Sequence, residues 1–308
     1  METPTEFCLS GDFMYKEYEN CTLCPRKCGI NRNLGEKGVC TQTSSVKIGR
    51  SALHYWEEPC ISGEKGSGTV FFSGCSLRCI YCQNYKLGRG NAGQELCGKE
   101  LCDIFTDLQK QGAHNINLVT AEHFAPHIKD AVIKARKKGL VIPVILNSGG
   151  YVSLRTLEIL KDVIDIYLVD FKYMDSSLAK KYSSAPDYPQ IACKAISKMV
   201  EFTGDPVFDE DGMLQKGTVV RHLCLPSHTD DSRKILKYLF DTYNTKIIYS
   251  IMRQYTPMDE CREYENLCRR ITDEEYDEVI DFCLEYGLED AYIQDGECAL
   301  ESFIPEFR

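Results

Sequence analysis

The sequence predicts an α/β protein: a parallel sheet wrapped by helices and closed into a split, partial barrel, preceded by a cysteine-rich segment. Three observations carry this. Beyond residue 68, short and nearly continuous apolar runs alternate with amphipathic stretches of helical length. Six such strand–helix units can be counted, two short of an eightfold barrel. Of the 17 cysteines, ten fall within residues 1–100 and seven in the remaining 208, so the two regions differ in kind. A doubly wound open sheet is the alternative architecture.

The units follow in order. Thr69–Ser73 reads as the first strand, ending at Gly74, with a helix over Glu100–Gln109. Ile116–Thr120 is the second, followed by a helix from Phe124 to Lys138 that Gly139 stops. Val141–Leu146 is the third, closed by Asn147-Ser148-Gly149-Gly150, with its helix at Leu154–Lys161. Ile164–Val169 is the fourth, running into Asp170-Phe171-Lys172, and Ile191–Phe202 is its helix. Thr218–Leu225 and Ser232–Tyr243 form the fifth pair, Lys246–Met252 and Asp273–Tyr286 the sixth. Chemistry in either architecture belongs at the carboxyl ends of the strands, which is where the unusual residues collect. Residues 1–66 have few apolar runs and no defensible long helix, and are taken as a separate cysteine-rich segment before a barrel spanning 67–308.

The charge balance, 36 basic against 46 acidic residues for a net −10, argues against nucleic acid or an anionic membrane as partner. The longest apolar run, Leu140–Leu146, is far short of the roughly 18 residues of a membrane span. The start, METPTEFCLSGDF, has neither the basic residues nor the apolar stretch of a signal peptide, and the expected location is the cytoplasm. In that reducing compartment an odd number of clustered thiols reads as metal or iron–sulfur ligands rather than disulfides.

Cys75, Cys79 and Cys82 form C-x3-C-x2-C within FFSGCSLRCIYCQN, directly after the first strand. Three thiolates on one tight loop can hold three irons of a cubane and leave the fourth iron open to a ligand. A zinc knuckle would need a fourth ligand nearby; Cys97, Cys102 and His114 are the candidates, none at knuckle spacing. Cys21, Cys24, Cys28 and Cys40 form C-x2-C-x3-C-x11-C, enough to close a site unaided. A closed site supports structure or electron transfer; a second iron–sulfur cluster is favoured, and zinc stays open. Asp170 and Lys172, two apart on a strand, point to one face and can grip an amino-acid zwitterion or form a rim ion pair. Trp56, the only tryptophan, lies in WEEPCISG between the two cysteine groups and reads as a packing anchor for the N-terminal segment, with a cover over the active site or an electron path between clusters as the alternative. His222 reads as a core histidine, and Gln254-Tyr255 as a possible site pair at the sixth strand end.

GCSLRCIYCQN after a strand resembles the signature of the radical S-adenosylmethionine (SAM) enzymes. The resemblance implies a partial (β/α)6 barrel and a 4Fe-4S cluster whose open iron chelates SAM. It further implies reductive cleavage of SAM to a 5′-deoxyadenosyl radical that takes hydrogen from a substrate. From about Thr69 to Met258 the chain is similar to pyruvate formate-lyase activating enzymes, through PVILNSGGY, IDIYLVDFKYMD and TVVRHLCLPSHTDDS. On that resemblance Tyr81, Asn147, Asp170, Lys172 and Arg221 contact SAM, with Asp170-Phe171-Lys172 standing for a D-L-K motif. The Gly-Gly-Glu motif of the activases is absent after the second strand, where Glu122 or Thr120 takes its place. Gln83-Asn84-Tyr85 after the third cysteine also departs from their His-Asn-Pro, which points to a PflX-like side branch. The implied partners are SAM, a low-potential donor such as flavodoxin or ferredoxin, and a glycyl radical enzyme. A radical enzyme acting on a small molecule or peptide is the alternative, and a non-catalytic iron–sulfur or zinc protein a third.

Overall fold

The computed structural model describes residues 14–96 and 98–294; Cys97 lies outside them. The strands are β1 (Val46–His54), β2 (Ser67–Phe72), β3 (Gln94–Leu96), β4 (Ile116–Val119), β5 (Val144–Ser148), β6 (Ile166–Asp170), β7 (Val207–Phe208), β8 (Leu214–Leu223), β9 (Ile248–Met252) and β10 (Ala291–Ile293). They order β10-β9-β8-β6-β5-β4-β2-β1-β3, with β7 paired to β8. From β2 to β10 every pairing along this path is parallel, and the strands of the path follow one another in sequence order. A doubly wound sheet would reverse its order partway. This one does not, so the architecture is the partial barrel. The six expected strands are β2, β4, β5, β6, β8 and β9, and β10 adds a seventh parallel strand at one edge.

The helices are α1 (Pro59–Ser62), α2 (Tyr85–Gly88), α3 (Gly98–Lys110), α4 (Ala125–Lys137), α5 (Leu154–Leu160), α6 (Ser176–Ser183), α7 (Tyr188–Thr203), α8 (Thr229–Tyr243) and α9 (Asp273–Glu285). None is long and apolar enough to cross a membrane among the described residues. Strand residues alternate between two cores, as a pleat with both faces covered requires. Val144, Leu146, Tyr167, Val169 and Val220 face outward and pack with the helices. Ile145, Ile166, Leu168 and Val219 face inward, where Cys60 and Ile61 of α1 join them. The short helix α1 is therefore a plug in the barrel, and the residues just before it are carried inside.

Two departures from the expected elements have local causes. The expected strand at Val141 starts instead at Val144, because Pro143 has no N–H to give a ladder. The N–H groups of Val141 and Ile142 donate to Gln109 Oε1 at 2.7 and 3.2 Å. A helix at Ser176–Ser183, capped by Asp175, precedes the expected α7. Strand β1 within residues 1–66 was not anticipated; its sequence VKIGRSALH is too polar to signal a strand alone, and it gains its ladder from β2.

Removing the plug's main apolar contact is a direct check. Ile61→Ala is expected to cost about 2–5 kcal/mol, read as a lower urea midpoint at unchanged slope. An unchanged midpoint would mean that α1 does not seat in the inner core.

Candidate active site

The loop after β2 carries Cys75, Cys79 and Cys82 to the carboxyl end of the sheet, where all three line one cavity of 390 Å³. Two backbone features let it turn so tightly. Gly74 has φ +85°, and a Cβ there would stand 2.4 Å from the carbonyl oxygen of Cys40. Arg78 also takes a left-handed conformation, at φ +63°. Burial pushes the Cys75 thiol up to about 11. It pushes Cys82 up to about 12, helped by the Cys79 and Cys75 sulfurs and opposed by Lys172. Thiols so placed ionise only against a strongly positive centre, as metal ligands do.

The donor set fits a cubane with one open iron. Cys102 is buried among the helices and His114 packs beside Gly63, and neither lines the cavity, so among the described residues no fourth cysteine stands in the wall. Gly88 leaves space beside Cys75 and Cys82, at 3.8 and 3.9 Å from where a Cβ would sit. Among the described residues no three His, Cys, Asp or Glu side chains are drawn together around a single ion. A cubane, whose thiolates bind separate irons, accepts that wider spread.

Opposite the thiols lies a closed chain of charges. Lys172 Nζ and Arg221 Nε each stand 2.8 Å from one oxygen of Asp170. Arg221 Nη1 reaches Glu57 Oε2 at 2.8 Å, and its Nη2 donates to Asn147 Oδ1 at 2.9 Å. Glu57 Oε1 accepts from Asn117 at 3.0 Å and from Asn147 at 3.2 Å. Burial alone would raise Asp170, but the Arg221 and Lys172 cations outweigh it and hold the carboxyl at about 2. Burial likewise works against the charges of Lys172 and Arg221, and Asp170 more than restores both. The backbone around the motif is pinned by Tyr188, whose hydroxyl meets Gly149 O, Asp170 O and Lys172 N within 3.0 Å.

Of the residues expected from sequence, Tyr81, Asn147, Asp170, Lys172 and Arg221 line the same cavity as the three cysteines. Thr120 lines it too, at φ +57°, whereas Glu122 is not in its wall. Burial raises the Glu122 carboxyl, and a hydrogen bond from Ser148, which does line the cavity, opposes that rise. Gln254 and Tyr255 are in the lining. His222 is a satisfied core histidine, bonded to Phe171 O and Ser232 Oγ at 2.8 Å each. Trp56 corrects the packing-anchor expectation: it is 64% exposed and forms part of the cavity lip. Its neighbours Glu57 and Glu58 turn inward instead. Their site role was missed; two carboxylates directly before the Pro59 that starts the plug were the available signal.

The second cysteine group also converges. Cys21, Cys24 and Cys40 are buried and Cys28 half-buried. Gly38 passes so close that a Cβ would meet Cys28 Sγ at 2.7 Å. Burial pushes Cys24 up to about 12, and the other three thiols add to it. Beside them Arg32 is 0% exposed, with its donors on Thr43 O and His123 O and its Nη1 4.0 Å from Cys21 Sγ. It has no carboxylate partner among the described residues, and His123 and His127, held at about 3 by burial and by Arg32, carry no charge. A buried guanidinium needs an opposite charge. Four thiolates on the separate irons of a cluster would supply it, since no three of these thiols stand around a single ion.

Comparison with known proteins accords with this geometry. Residues 69–239 match the model of the radical SAM superfamily. An uncharacterised protein of Methanocaldococcus jannaschii, MJ0674, is 26% identical over 283 residues, covering 89% of this chain and 77% of that protein. SuiB of Streptococcus suis, solved bound to precursor peptide SuiA, superposes with a TM-score of 0.50 at 14% identity, over 73% of this chain and 47% of SuiB. The chain thus spans about half of SuiB's length. A radical SAM methyltransferase from Sphaerobacter thermophilus gives a TM-score of 0.50 at 12% identity, over 74% of this chain and 66% of that one. These structural likenesses concern the fold. With the superfamily model spanning more than half of its residues, the chain belongs to the radical SAM superfamily.

Proposed function

We propose that this protein abstracts a hydrogen atom from the chain of a protein or peptide, in the manner of the activating enzymes of glycyl radical enzymes. The observation that carries the chemistry is a single cavity shared by the Cys75, Cys79 and Cys82 thiols and the Lys172–Asp170–Arg221 ion pairs. The superfamily's cofactors are a 4Fe-4S cluster and SAM, which together supply a reductively released 5′-deoxyadenosyl radical. Cys75, Cys79 and Cys82 would hold the cluster. Asp170, ionised throughout the physiological range, keeps Lys172 and Arg221 charged and aimed into the cavity, where Lys172 can meet a carboxylate. Tyr81, wedged edge-on between Tyr173 and Tyr255, gives the flat wall beside the thiols.

Cavity size favours a substrate that enters by its tip. At 390 Å³ the space is at the low end for a small-molecule site, and it would have to hold SAM as well as a substrate. What remains, under a lip formed by Trp56 and Ile293, suits a loop or chain terminus more than a second whole metabolite. The motif similarity to the activases supports the same reading. Electrons would come from a low-potential flavodoxin or ferredoxin.

For Cys21, Cys24, Cys28 and Cys40 we infer a second 4Fe-4S cluster with no open iron. Its support is the grouping of three buried thiols and the half-buried Cys28, with Arg32 beside Cys21 and Cys40, whose charge a dianionic thiolate site would offset.

Two experiments test these readings. Replacing Cys75, Cys79 and Cys82 together by Ala should abolish 5′-deoxyadenosine formation from SAM under dithionite; cleavage at the wild-type rate would end the assignment. Anaerobically reconstituted protein should hold about eight irons per chain, falling to about four when the N-terminal four cysteines are replaced. About four irons and one zinc in the wild type would make that site a structural zinc instead.

A further inference from the structure

Arg26 sits between Cys24 and Cys28, but its guanidinium leaves the four-thiol loop. Nε donates to Ser76 O at 2.9 Å, Nη1 to Ser184 O at 2.6 Å, and Nη2 to Ser183 O at 3.1 Å and Leu77 O at 3.4 Å. The guanidinium also lies over the Tyr151 ring, 5.1 Å from its centroid. All four acceptors are backbone carbonyls. Ser76 and Leu77 belong to the loop between Cys75 and Cys79, and Ser183 and Ser184 to the end of α6. One cation therefore ties together three segments that are far apart in sequence.

Two of these contacts continue to sulfur. The peptide unit whose Ser76 carbonyl accepts from Arg26 presents, on its other side, the Leu77 N–H, which donates to Cys75 Sγ at 3.4 Å. Ser183, whose carbonyl accepts from Nη2, donates its hydroxyl to Cys79 Sγ at 3.1 Å. A cation on an amide carbonyl polarises the unit and strengthens its N–H as a donor. Hydrogen bonds to cluster sulfurs and nearby positive charge both stabilise the reduced, more negative state. The Arg26 backbone N–H in turn bonds the Cys24 thiol, so the arginine's position is set by the four-thiol loop itself.

We propose that Arg26 is a positioning residue that raises the reduction potential of the cluster on Cys75, Cys79 and Cys82, acting through the Leu77 N–H and the Ser183 hydroxyl. The proposal rests on the reading of that loop as the SAM-binding cluster site. It also makes the N-terminal four-thiol loop part of the catalytic centre's electrostatics, since that loop holds the cation in place.

The test is a potentiometric titration of the reconstituted full chain, following the electron paramagnetic resonance signal that changes when SAM is added. Arg26→Gln should shift that midpoint to lower potential by about 59 mV or more, a tenfold loss in the equilibrium for one-electron reduction, at unchanged iron content. Arg26→Lys, which keeps the charge but cannot span four carbonyls, should fall between. An unchanged midpoint in Arg26→Gln overturns the inference, as does one in Arg26→Lys should the Gln variant fail to load iron. A wild type whose signal does not respond to SAM overturns the cluster assignment, and the inference with it.

Discussion

The Arg221 guanidinium is the contact on which the rest of the site depends. It stands opposite Asp170 in the β6–β8 ladder and binds that carboxylate, Asn147 on β5 and Glu57 from before the barrel. Taking a guanidinium out of water costs several kcal/mol unless its donors are met by charge and good geometry. Here two carboxylates and an amide meet them, with Lys172 as the second cation. Two positive and two negative groups close into a neutral chain. Removing Asp170 would leave Lys172 without its carboxylate, at a cost of about 3–5 kcal/mol. The network consequently holds four strands and the N-terminal segment in one register around the cavity.

That arrangement explains why residues before the first barrel strand belong to the active centre. Glu57 reaches Asn117, Asn147 and Arg221 only because Pro59–Ser62 drops into the inner core and carries the preceding residues in. The same segment leaves Trp56 outside on the lip. On the other side of the site the N-terminal loop acts through two arginines placed among its cysteines. Arg32 is buried beside Cys21, and Arg26 reaches across to the loop between Cys75 and Cys79. Both guanidiniums donate to backbone carbonyls, with no carboxylate partner among the described residues. Their charge is therefore available to thiolates, which is the basis on which we propose that the two cysteine groups are coupled.

Much of this was legible in the residues, and the exceptions have physical causes. The three-cysteine loop was readable because its spacing is local, and Asp170 and Lys172 because a strand puts alternate residues on one face. The six barrel strands were readable because strands covered on both faces are apolar throughout. Strand β1 escaped because its stability comes from the ladder to β2 and not from its own pattern. The stretch Ser176–Ser183 escaped because it is short and polar, held by an Asp175 cap and by packing. Glu57 could not be placed, since its partners lie 60, 90 and 164 residues away. Trp56 was misplaced because its size suggests burial, whereas the plug that begins at Pro59 occupies the interior instead.

Electron–nuclear double resonance on the reduced protein, with SAM labelled in its amino nitrogen and carboxylate oxygens, tests most directly whether one iron at the Cys75 loop is open and receives SAM. Hyperfine coupling from both labels, lost when Cys75, Cys79 and Cys82 are replaced, is the predicted result. Bound SAM with no coupling from either label would contradict an open iron at that loop.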